Sequence, residues 1–314
     1  MLNRIVHIIA KKYLKNLGFY LRILQNQIRI ISEYPFYYLK EYLNIIKSSL
    51  LKIFREFPNI KLDYISRKIN GINFNFYFSF APRYRGMYLG LNSLPIVKLL
   101  LKYVKKKSVF LDIGANIGYL SAIGASLVGK KGETHSFEPV PCYFRKLLEL
   151  KKINPKYNIF VNNFALGERS GVSNISLSKD LIGENTMISG LLSSDRIKET
   201  IQISVQRLDE YIRKKNISDI SLIKIDVEGY EMLLLEGLTE YLEQNKQKLP
   251  PMVVEVTPSA YPLIGKKLGD LESFMHQYSY VALSVDEKNV IDIKKLHNLT
   301  DIVFKQMNFK KKNL

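Results

Sequence analysis

The stretch Val109-Phe-Leu-Asp-Ile-Gly-Ala-Asn-Ile-Gly-Tyr-Leu-Ser-Ala122 decides the fold of this chain. It opens with a short apolar run that is typical of a buried strand, and it closes with a run that is compatible with a helix. Between them, Asp112-x-Gly114-x-x-x-Gly118 predicts a glycine-rich turn. Glycine suits such a turn because it adopts positive φ freely and lets a ligand approach the backbone. The first N–H groups of the helix lack partners, so the stretch predicts a nucleotide-binding site.

The spacing of the glycines argues against a dinucleotide. The fingerprint G-x-G-x-x-G has a middle glycine that admits a pyrophosphate, and the run from Ala115 to Ile117 supplies none. Asp112 would repel a pyrophosphate, but it suits S-adenosylmethionine, which carries a sulfonium, an ammonium and no phosphate. A second predicted strand, Thr134-His-Ser-Phe-Glu138, ends in an acid 26 residues after Asp112. A Rossmann-like unit places its ribose-binding acid there, so the two acids together predict S-adenosylmethionine.

With these motifs in place, the chain resembles the FkbM-type family of S-adenosylmethionine-dependent methyltransferases over roughly residues 90 to 306. The matching segments, in family order, are Phe110–Gly118, Phe137-Glu-Pro139, Ala165-Leu-Gly167, Leu208-Asp209, Ile223–Glu231 and Val254-Glu255. The resemblance implies the class I methyltransferase fold and its cofactor. It leaves the acceptor open, because the family acts on varied acceptors.

From Leu94 onward the apolar patterns alternate between strand and helix. Strands are predicted at 109–113, 133–137, 158–164, 221–226, 252–257, 279–285 and 300–306, and helices at 94–105, 118–128, 141–152, 229–244 and 267–277. The alternation predicts an α/β, Rossmann-like and mostly parallel sheet with helices on both faces. The last two strands have no long helix between them, so we expect an antiparallel C-terminal hairpin. Residues 167–207 predict an extra hairpin, whose tip near Gly183 to Ser194 is a candidate lid.

Composition divides the chain into three segments. Residues 1–70 predict a basic amphipathic helical extension, since the first 60 positions hold ten Lys or Arg against three acids. Residues 71–306 are the predicted methyltransferase domain, with its core from about 94, and 307–314 are a basic tail. The extension has three open interpretations. It is a helical cap on the domain, a surface that lies on anionic membrane, or a nucleic-acid contact.

The overall composition limits the function classes. With 314 residues and 46% apolar content, the chain can bury a full core. Its single cysteine, Cys142, excludes an intrachain disulfide and a cysteine metal cluster. Lys11 and Lys12 interrupt the first apolar run, so we expect no signal peptide, and there is no apolar run long enough for a membrane span. A cytoplasmic location is therefore expected, with peripheral membrane contact as the alternative.

The cofactor-binding residues are expected at three successive strand ends. At the first they are Asp112, Gly114, Ala115, Asn116 and Gly118. At the second, Glu138 is expected to accept the ribose hydroxyls through charge-assisted hydrogen bonds. The alternative for Glu138 is a cap on the helix that begins near Pro139. At the third strand end, the residues expected to flank the adenine are Asn163, Ala165 and Leu166.

The expected reaction centre is Lys224-Ile-Asp-Val-Glu-Gly-Tyr-Glu231. Alternation puts Lys224, Asp226 and Glu228 on one side, near the strand ends where open α/β sheets bind ligands. Asp226 and Glu228 could act as base and orienting group for an alcohol acceptor. They could instead join Glu255 around a divalent metal with oxygen ligands. A purely structural role, with Lys224 neutralising the acids, is the third interpretation.

These features favour an O-methyltransferase that acts on a sugar, a glycan or another small-molecule hydroxyl. The net charge of +18 would attract nucleic acid, anionic lipid or acidic saccharide. Cys142 does not follow the fourth strand, where cytosine-C5 chemistry needs a cysteine, and the Asp/Asn-Pro-Pro-Tyr motif of amine methylases is absent. A nucleic-acid methyltransferase and a non-catalytic module of this fold at a membrane are the alternatives. The sequence leaves the oligomeric state open.

Overall fold

The computed structural model describes residues 64–69, 72–77, 94–179 and 184–307. The predicted extension as far as residue 63 and the tail from residue 308 lie outside these residues. The chain divides into two compact units, Met1–Lys61 and Leu62–Leu314, and every element described below belongs to the second. Among the helices that the structure describes, none is both long enough and apolar enough to cross a bilayer.

A short antiparallel hairpin comes first. Its strands are β1 (Tyr64–Ile69) and β2 (Ile72–Tyr77), with Ile69 paired to Ile72. The dipeptide between them in the sequence, Asn70-Gly71, is the one that most favours a two-residue hairpin turn. The alternating apolar residues of the segment Ile72-Asn-Phe-Asn-Phe76 predict a strand, and β2 confirms it. The prediction of helix up to residue 70 is wrong for residues 64–69, because these residues pair with β2 as an antiparallel strand.

The remaining elements alternate along the chain. The helices are α1 (Leu94–Tyr103), α2 (Tyr119–Val128), α3 (Pro141–Ile153), α4 (Leu208–Lys215), α5 (Glu231–Glu236), α6 (Thr239–Gln244) and α7 (Leu268–Gln277). The strands are β3 (Val109–Ile113), β4 (Glu133–Phe137), β5 (Asn158–Asn162), β6 (Ala165–Leu166), β7 (Gly171–Ser178), β8 (Ile197–Gln206), β9 (Ile220–Ile225), β10 (Met252–Val256), β11 (Tyr280–Leu283) and β12 (Thr300–Gln306).

Seven of these strands form the central sheet, in the order β11-β12-β10-β9-β3-β4-β5. From β5 to β10 the neighbours are parallel, whereas β12 runs antiparallel to both β10 and β11. The predicted parallel sheet with an antiparallel C-terminal hairpin is confirmed. The order also brings the ends of β3, β4 and β9 side by side, which places the two predicted halves of the site next to each other.

The core lies on both faces of the sheet because successive side chains of a strand point to opposite faces. Leu111 and Ile223 pack on one face with α4 to α7, and Phe110 and Leu222 pack on the other with α1 to α3. These four side chains are fully buried. Strands covered on both sides often have continuous apolar runs, which is why the sequence predicted β3 and β9 within one residue.

The helices differ from the predictions in two places. The segment predicted as one helix, 229–244, is divided into α5 and α6 at Gly237. A Cβ at Gly237 would lie 2.1 Å from the backbone oxygen of Gly167, so the break accommodates a close approach of the two backbones. The short helix α4 was not predicted. Five of its eight residues are charged, and only the side that carries Tyr211 and Ile212 is buried.

The predicted insertion forms a separate three-stranded sheet in the order β6-β8-β7, with β7 and β8 antiparallel. The extra hairpin is therefore confirmed. Part of its tip folds back onto β7, because the N–H and C=O groups of Thr186 pair with those of Ser176 over 3.1 and 2.9 Å.

Candidate active site

A cavity of about 280 Å³ lies at the carboxyl ends of β3, β4 and β9. In an open α/β sheet this edge is where ligands bind. Its walls come from the turns after these strands, from the segment that joins β5 to β6, and from the tip of the insertion. Of the predicted residues, those that line it are Asp112, Gly114, Ala115, Asn116, Glu138, Ala165, Leu166, Lys224, Asp226 and Glu228. The sequence thus predicted ten of the residues that form the wall.

The glycine turn after β3 has the conformation that its sequence predicts. Gly114, Asn116 and Gly118 all have positive φ, at 74°, 51° and 86°. The N–H groups of Gly114 and Ala115 donate to the carbonyl of Phe137 over 3.1 and 2.9 Å, which fastens the turn to β4. Gly118 is not among the residues that line the cavity. It begins α2, and a Cβ there would lie 2.6 Å from the side chains of two leucines, so its role is to let the turn close.

Asp112 is buried at the inner end of the cavity, with 1% exposure. Its Oδ2 accepts a hydrogen bond of 2.5 Å from the Ser121 hydroxyl. Its Oδ1 has no hydrogen-bond partner among the residues that the structure describes. Burial raises the pKa of Asp112, and the nearby Lys224 opposes that shift. A buried acid with an unsatisfied oxygen on the cavity wall fits a cationic ligand, because an unpaired buried polar group is costly.

Glu138 holds two backbone segments together. Its Oε2 accepts the N–H of Asn116 over 2.9 Å, and its Oε1 accepts the N–H of Val140 over 2.8 Å, at the start of α3. The capping contact that was the alternative interpretation is thus present. It leaves acceptor capacity on both oxygens, because a carboxylate offers about four lone-pair positions. Burial raises the pKa of Glu138 to about 7, so a ligand that donates to this carboxylate favours its ionised form.

The third strand end contributes a different set of residues from the one predicted. Ala165 and Leu166 line the cavity as expected. Asn163 does not, because its side-chain amide donates to the backbone oxygens of Glu138 and Pro139 over 3.0 and 2.9 Å. Phe164 lines the cavity in its place. The positions of Asn163 and Phe164 depend on how the chain leaves β5, and no motif in the sequence specifies that.

At the end of β9 the predicted reaction residues share one side. The Lys224 ammonium donates to Oδ2 of Asp226 over 2.6 Å, and only 6% of Lys224 is exposed. Burial alone would lower the pKa of Lys224, but the carboxylates of Asp226 and Asp112 raise it above its ordinary value. Lys224 is therefore a fixed positive charge on the cavity wall, near the carboxylates of Asp226 and Asp112.

Further carboxylates surround Asp226. Burial, Asp226 and Glu184 raise the pKa of Glu228 to about 8. Burial and then Asp226 and Glu228 also raise the pKa of Glu255. One ligand oxygen each from Asp226, Glu228 and Glu255 lies within 4.8 Å of the others, so the three could hold a cation. This is the metal set that the sequence predicts as the alternative.

Two acids near this cluster were missed by sequence reasoning. Asp301 is paired with Glu255 across β12 and β10, and burial together with Asp226 raises its pKa. Glu184 lines the cavity from the insertion. Asp301 comes close to Glu255 through the long-range pairing of β10 with β12. The sequence signal that could have indicated Asp301 is the predicted antiparallel end of the sheet.

Comparison with known proteins decides the family. Residues 112–282 match the methyltransferase FkbM domain, which is more than half of the chain. The chain belongs to the FkbM methyltransferase family. The predicted family is thus confirmed. The unsatisfied oxygen of Asp112 and the glycine turn fit S-adenosylmethionine.

Two curated relatives match parts of the chain. Hexuronic acid methyltransferase AglP of Haloferax volcanii is 25% identical over 150 residues, which cover 47% of this chain and 57% of the relative. AMB antimetabolite synthetase AmbE of Pseudomonas aeruginosa is 29% identical over 164 residues, 42% of this chain and 8% of the relative. The chain thus spans little more than half of the first relative's length and a small part of the second's.

Solved structures are similar at lower identity. A putative rRNA methylase from Clostridium thermocellum is 12% identical with a TM-score of 0.40, and the match covers 68% of this chain and 93% of that one. Aeropyrum pernix fibrillarin with bound S-adenosyl-L-methionine is 14% identical with a TM-score of 0.38, and the match covers 79% and 84%.

Proposed function

We propose that the chain transfers the methyl group of S-adenosylmethionine to a hydroxyl of a sugar, a glycan or another small molecule. The observation that carries this proposal is that one cavity joins the acids Asp112 and Glu138 to the group formed by Lys224, Asp226 and Glu228. The first pair suits a cationic donor with ribose hydroxyls. The second group suits an acceptor whose proton must be removed.

The residues have separate roles in this mechanism. When bound, S-adenosylmethionine supplies a methyl carbon whose bond to sulfur breaks as the acceptor oxygen attacks. Asp112 and the turn at Gly114 hold the donor, and Glu138 accepts from its ribose. Asp226 takes the proton from the acceptor hydroxyl, while Lys224 fixes the orientation of its carboxylate. Holding donor and acceptor in line removes a large part of the activation barrier, and a positioned base increases the rate by about a hundredfold or more.

The acceptor end of the cavity favours a neutral hydroxyl compound. Glu184, Asp226 and Glu228 face it, with Lys224 as the balancing cation on this wall. The similarity to a hexuronic acid methyltransferase supports a sugar acceptor. A uronate carboxylate would meet like charges here, which cost free energy unless they are protonated or bridged. We therefore propose that a neutral sugar is methylated faster than its uronate counterpart.

Methyl-label transfer tests the proposal directly. The full chain is incubated with S-adenosylmethionine labelled in the methyl group and, separately, with hexose-terminated oligosaccharides, hexuronate-terminated oligosaccharides, glycans extracted from cells, and RNA. The proposal is supported if label appears in the sugar fractions as a methyl ether. This label should be absent when the Asp226→Asn variant is used. Salt-sensitive labelling of RNA would instead establish the nucleic-acid alternative. Cofactor binding without label in any fraction would establish a non-catalytic module.

A divalent cation is a second proposal for the same site, and it rests on the proximity of Asp226, Glu228 and Glu255. Three carboxylates are a donor set that Mg²⁺ or Ca²⁺ prefers. These residues would hold the ion, which would supply a Lewis acid next to the acceptor oxygen. Direct titration with Mn²⁺, read by electron paramagnetic resonance, should show binding that Glu255→Gln weakens. Unchanged Mn²⁺ spectra, together with full activity in excess chelator, would overturn it.

A further inference from the structure

The turn that carries Glu228 is held in an unusual conformation. Glu228 and Gly229 both have positive φ, at 51° and 102°. For a residue with a side chain this region is sparsely populated, and it persists only where the surroundings enforce it. The turn matters because it directs the Glu228 carboxylate toward Asp226 and Glu255. The contacts that enforce it therefore control the geometry of the proposed reaction centre.

One of these contacts comes from the insertion. The Thr186 hydroxyl donates a hydrogen bond of 2.7 Å to the backbone oxygen of Glu228. The next N–H in the turn, that of Gly229, donates to Oε1 of Glu231 over 2.8 Å. A Cβ at Gly229 would lie 3.0 Å from the side chain of Leu191, so the insertion also packs against the turn. The insertion and α5 thus hold the turn from two sides.

Thr186 is itself well fixed. It has 2% exposure, and both of its backbone groups pair with Ser176 on β7. Its hydroxyl oxygen accepts the N–H of Ile188 over 3.0 Å, which leaves the hydroxyl proton for Glu228. The hydroxyl is therefore oriented before any ligand binds. It connects the hairpin to the strained turn through this hydrogen bond.

We propose that Thr186 is a positioning residue that holds the Glu228–Gly229 turn, and through it the Glu228 carboxylate, in the geometry required for methyl transfer. The effect of Thr186 on catalysis rests on the proposed function. It also changes the role of the insertion. The part of the tip from Glu184 to Ile188 is a fixed wall that is fastened to the reaction centre, rather than a lid that closes over it.

The test compares three variants. Thr186→Val keeps the shape of the side chain and removes the hydroxyl, whereas Thr186→Ser keeps the hydroxyl. Thr200→Val is the matched control, because the Thr200 hydroxyl lies on β8 of the same hairpin, is exposed and contacts Ser176 instead of the turn. With labelled donor and the glycan fraction, we expect Thr186→Val to lower kcat about tenfold or more with little change in donor KM. Thr186→Ser should restore most of kcat, and Thr200→Val should leave it unchanged.

Hydrogen exchange gives a second readout that does not need turnover. In Thr186→Val the amides of residues 228–231 should exchange faster, while those of the turn at 112–118 keep the wild-type rate. Faster exchange in Thr186→Val, together with a wild-type protein that binds the donor but never transfers label, would defeat the proposed function and leave the positioning role standing. Wild-type exchange and wild-type kcat in Thr186→Val would overturn the inference. Equal losses in Thr186→Val and Thr200→Val would overturn it as well, because the effect would then be general to the hairpin.

Discussion

Gly114 lies against the backbone of Asp226 so closely that a Cβ on Gly114 would be 1.7 Å from the carbonyl oxygen of Asp226. The N–H of Asp226 also donates to the oxygen of Ile113 over 3.0 Å. These contacts join the turn that is assigned to the donor with the strand end that carries the proposed base. In the proposed mechanism, the packing of β3 against β9 therefore sets the distance between donor and acceptor, and this distance does not depend on a flexible side chain.

Gly114→Ala should remove both cofactor binding and activity. The added Cβ would push the turn away from Asp226, and the residue would also be strained at φ 74°. Gly129→Ala is the matched control, since Gly129 has the same φ of 74° and nothing within 4 Å of the added Cβ. Gly129→Ala should lose about 1–3 kcal/mol of unfolding free energy and keep its donor affinity. Calorimetric titration of both variants checks this, and equal donor affinity in the two would contradict the close-packing argument.

Glu138→Ala should weaken S-adenosylmethionine binding by about tenfold or more, because charge-assisted hydrogen bonds to the ribose are lost. Since Glu138 also holds the Asn116 and Val140 N–H groups, the variant alone does not separate the two roles. An S-adenosylhomocysteine analogue without ribose hydroxyls does so. If Glu138 binds the ribose, this analogue should lose less affinity than S-adenosylhomocysteine on mutation. An equal loss of affinity for both ligands would mean that Glu138 only accepts backbone N–H groups and does not bind the ribose.

Asp226→Asn should lower the turnover number by about a hundredfold or more, because a positioned base typically contributes at least that factor. Donor affinity should stay within about threefold of wild type, since asparagine keeps an oxygen for Lys224. Asp286→Asn, in an exposed turn between β11 and β12, serves as the control and should keep full turnover. Label transfer under saturating donor measures both. Full turnover in Asp226→Asn would exclude it as the base.

Stability should depend on the protonation of Glu231, which is fully buried at the start of α5. Burial raises its pKa to about 8 in the folded protein, against about 4.3 in an unfolded chain. The folded state therefore keeps a proton that the unfolded state loses as the pH rises. The contribution of the protonated Glu231 to the unfolding free energy is complete below about pH 4 and is lost as the pH rises toward about 8.

Glu231→Gln mimics the protonated acid and should remove this pH dependence. Relative to wild type, its unfolding free energy should rise by at least about 1 kcal/mol between about pH 5 and about pH 8.5. Urea denaturation at both pH values measures the difference. Glu149→Gln, at a surface position on α3, should show none. A constant difference between Glu231→Gln and wild type would mean that Glu231 is ionised throughout this range.

The sequence predicted the parts of the site that depend on strand ends. Strands buried on both faces often have continuous apolar runs, and the run Val109–Leu111 located β3 to the residue. Asp112, Glu138 and Asp226 followed as the acids at or next to the ends of β3, β4 and β9. Parallel neighbours end at one edge of a sheet, which brings these acids together without any further information. Lys224 followed from alternation along β9, whereas Glu228 lies beyond the end of this strand and is placed by the positive-φ turn at Glu228 and Gly229.

The parts that were not predicted depend on contacts between distant segments. Asn163 points at the backbone of Glu138 and Pro139 instead of the cavity, because the chain turns sharply after β5. Thr186 lies next to Glu228 only because the insertion folds back on β7. Helix α5 ends where Gly167 approaches Gly237. No local pattern of apolar or charged residues encodes these three contacts.

A crystal structure of the full chain with S-adenosylhomocysteine is the most direct measurement of where the donor binds. We expect the ribose hydroxyls within hydrogen-bonding distance of Glu138, at about 2.6–3.0 Å, and the amino group of the ligand beside Asp112. The sulfur should face Asp226 and Lys224 across the cavity. A ligand bound elsewhere, or a cavity filled by side chains in the complex, would contradict the assignment of the donor site and of the reaction centre next to it.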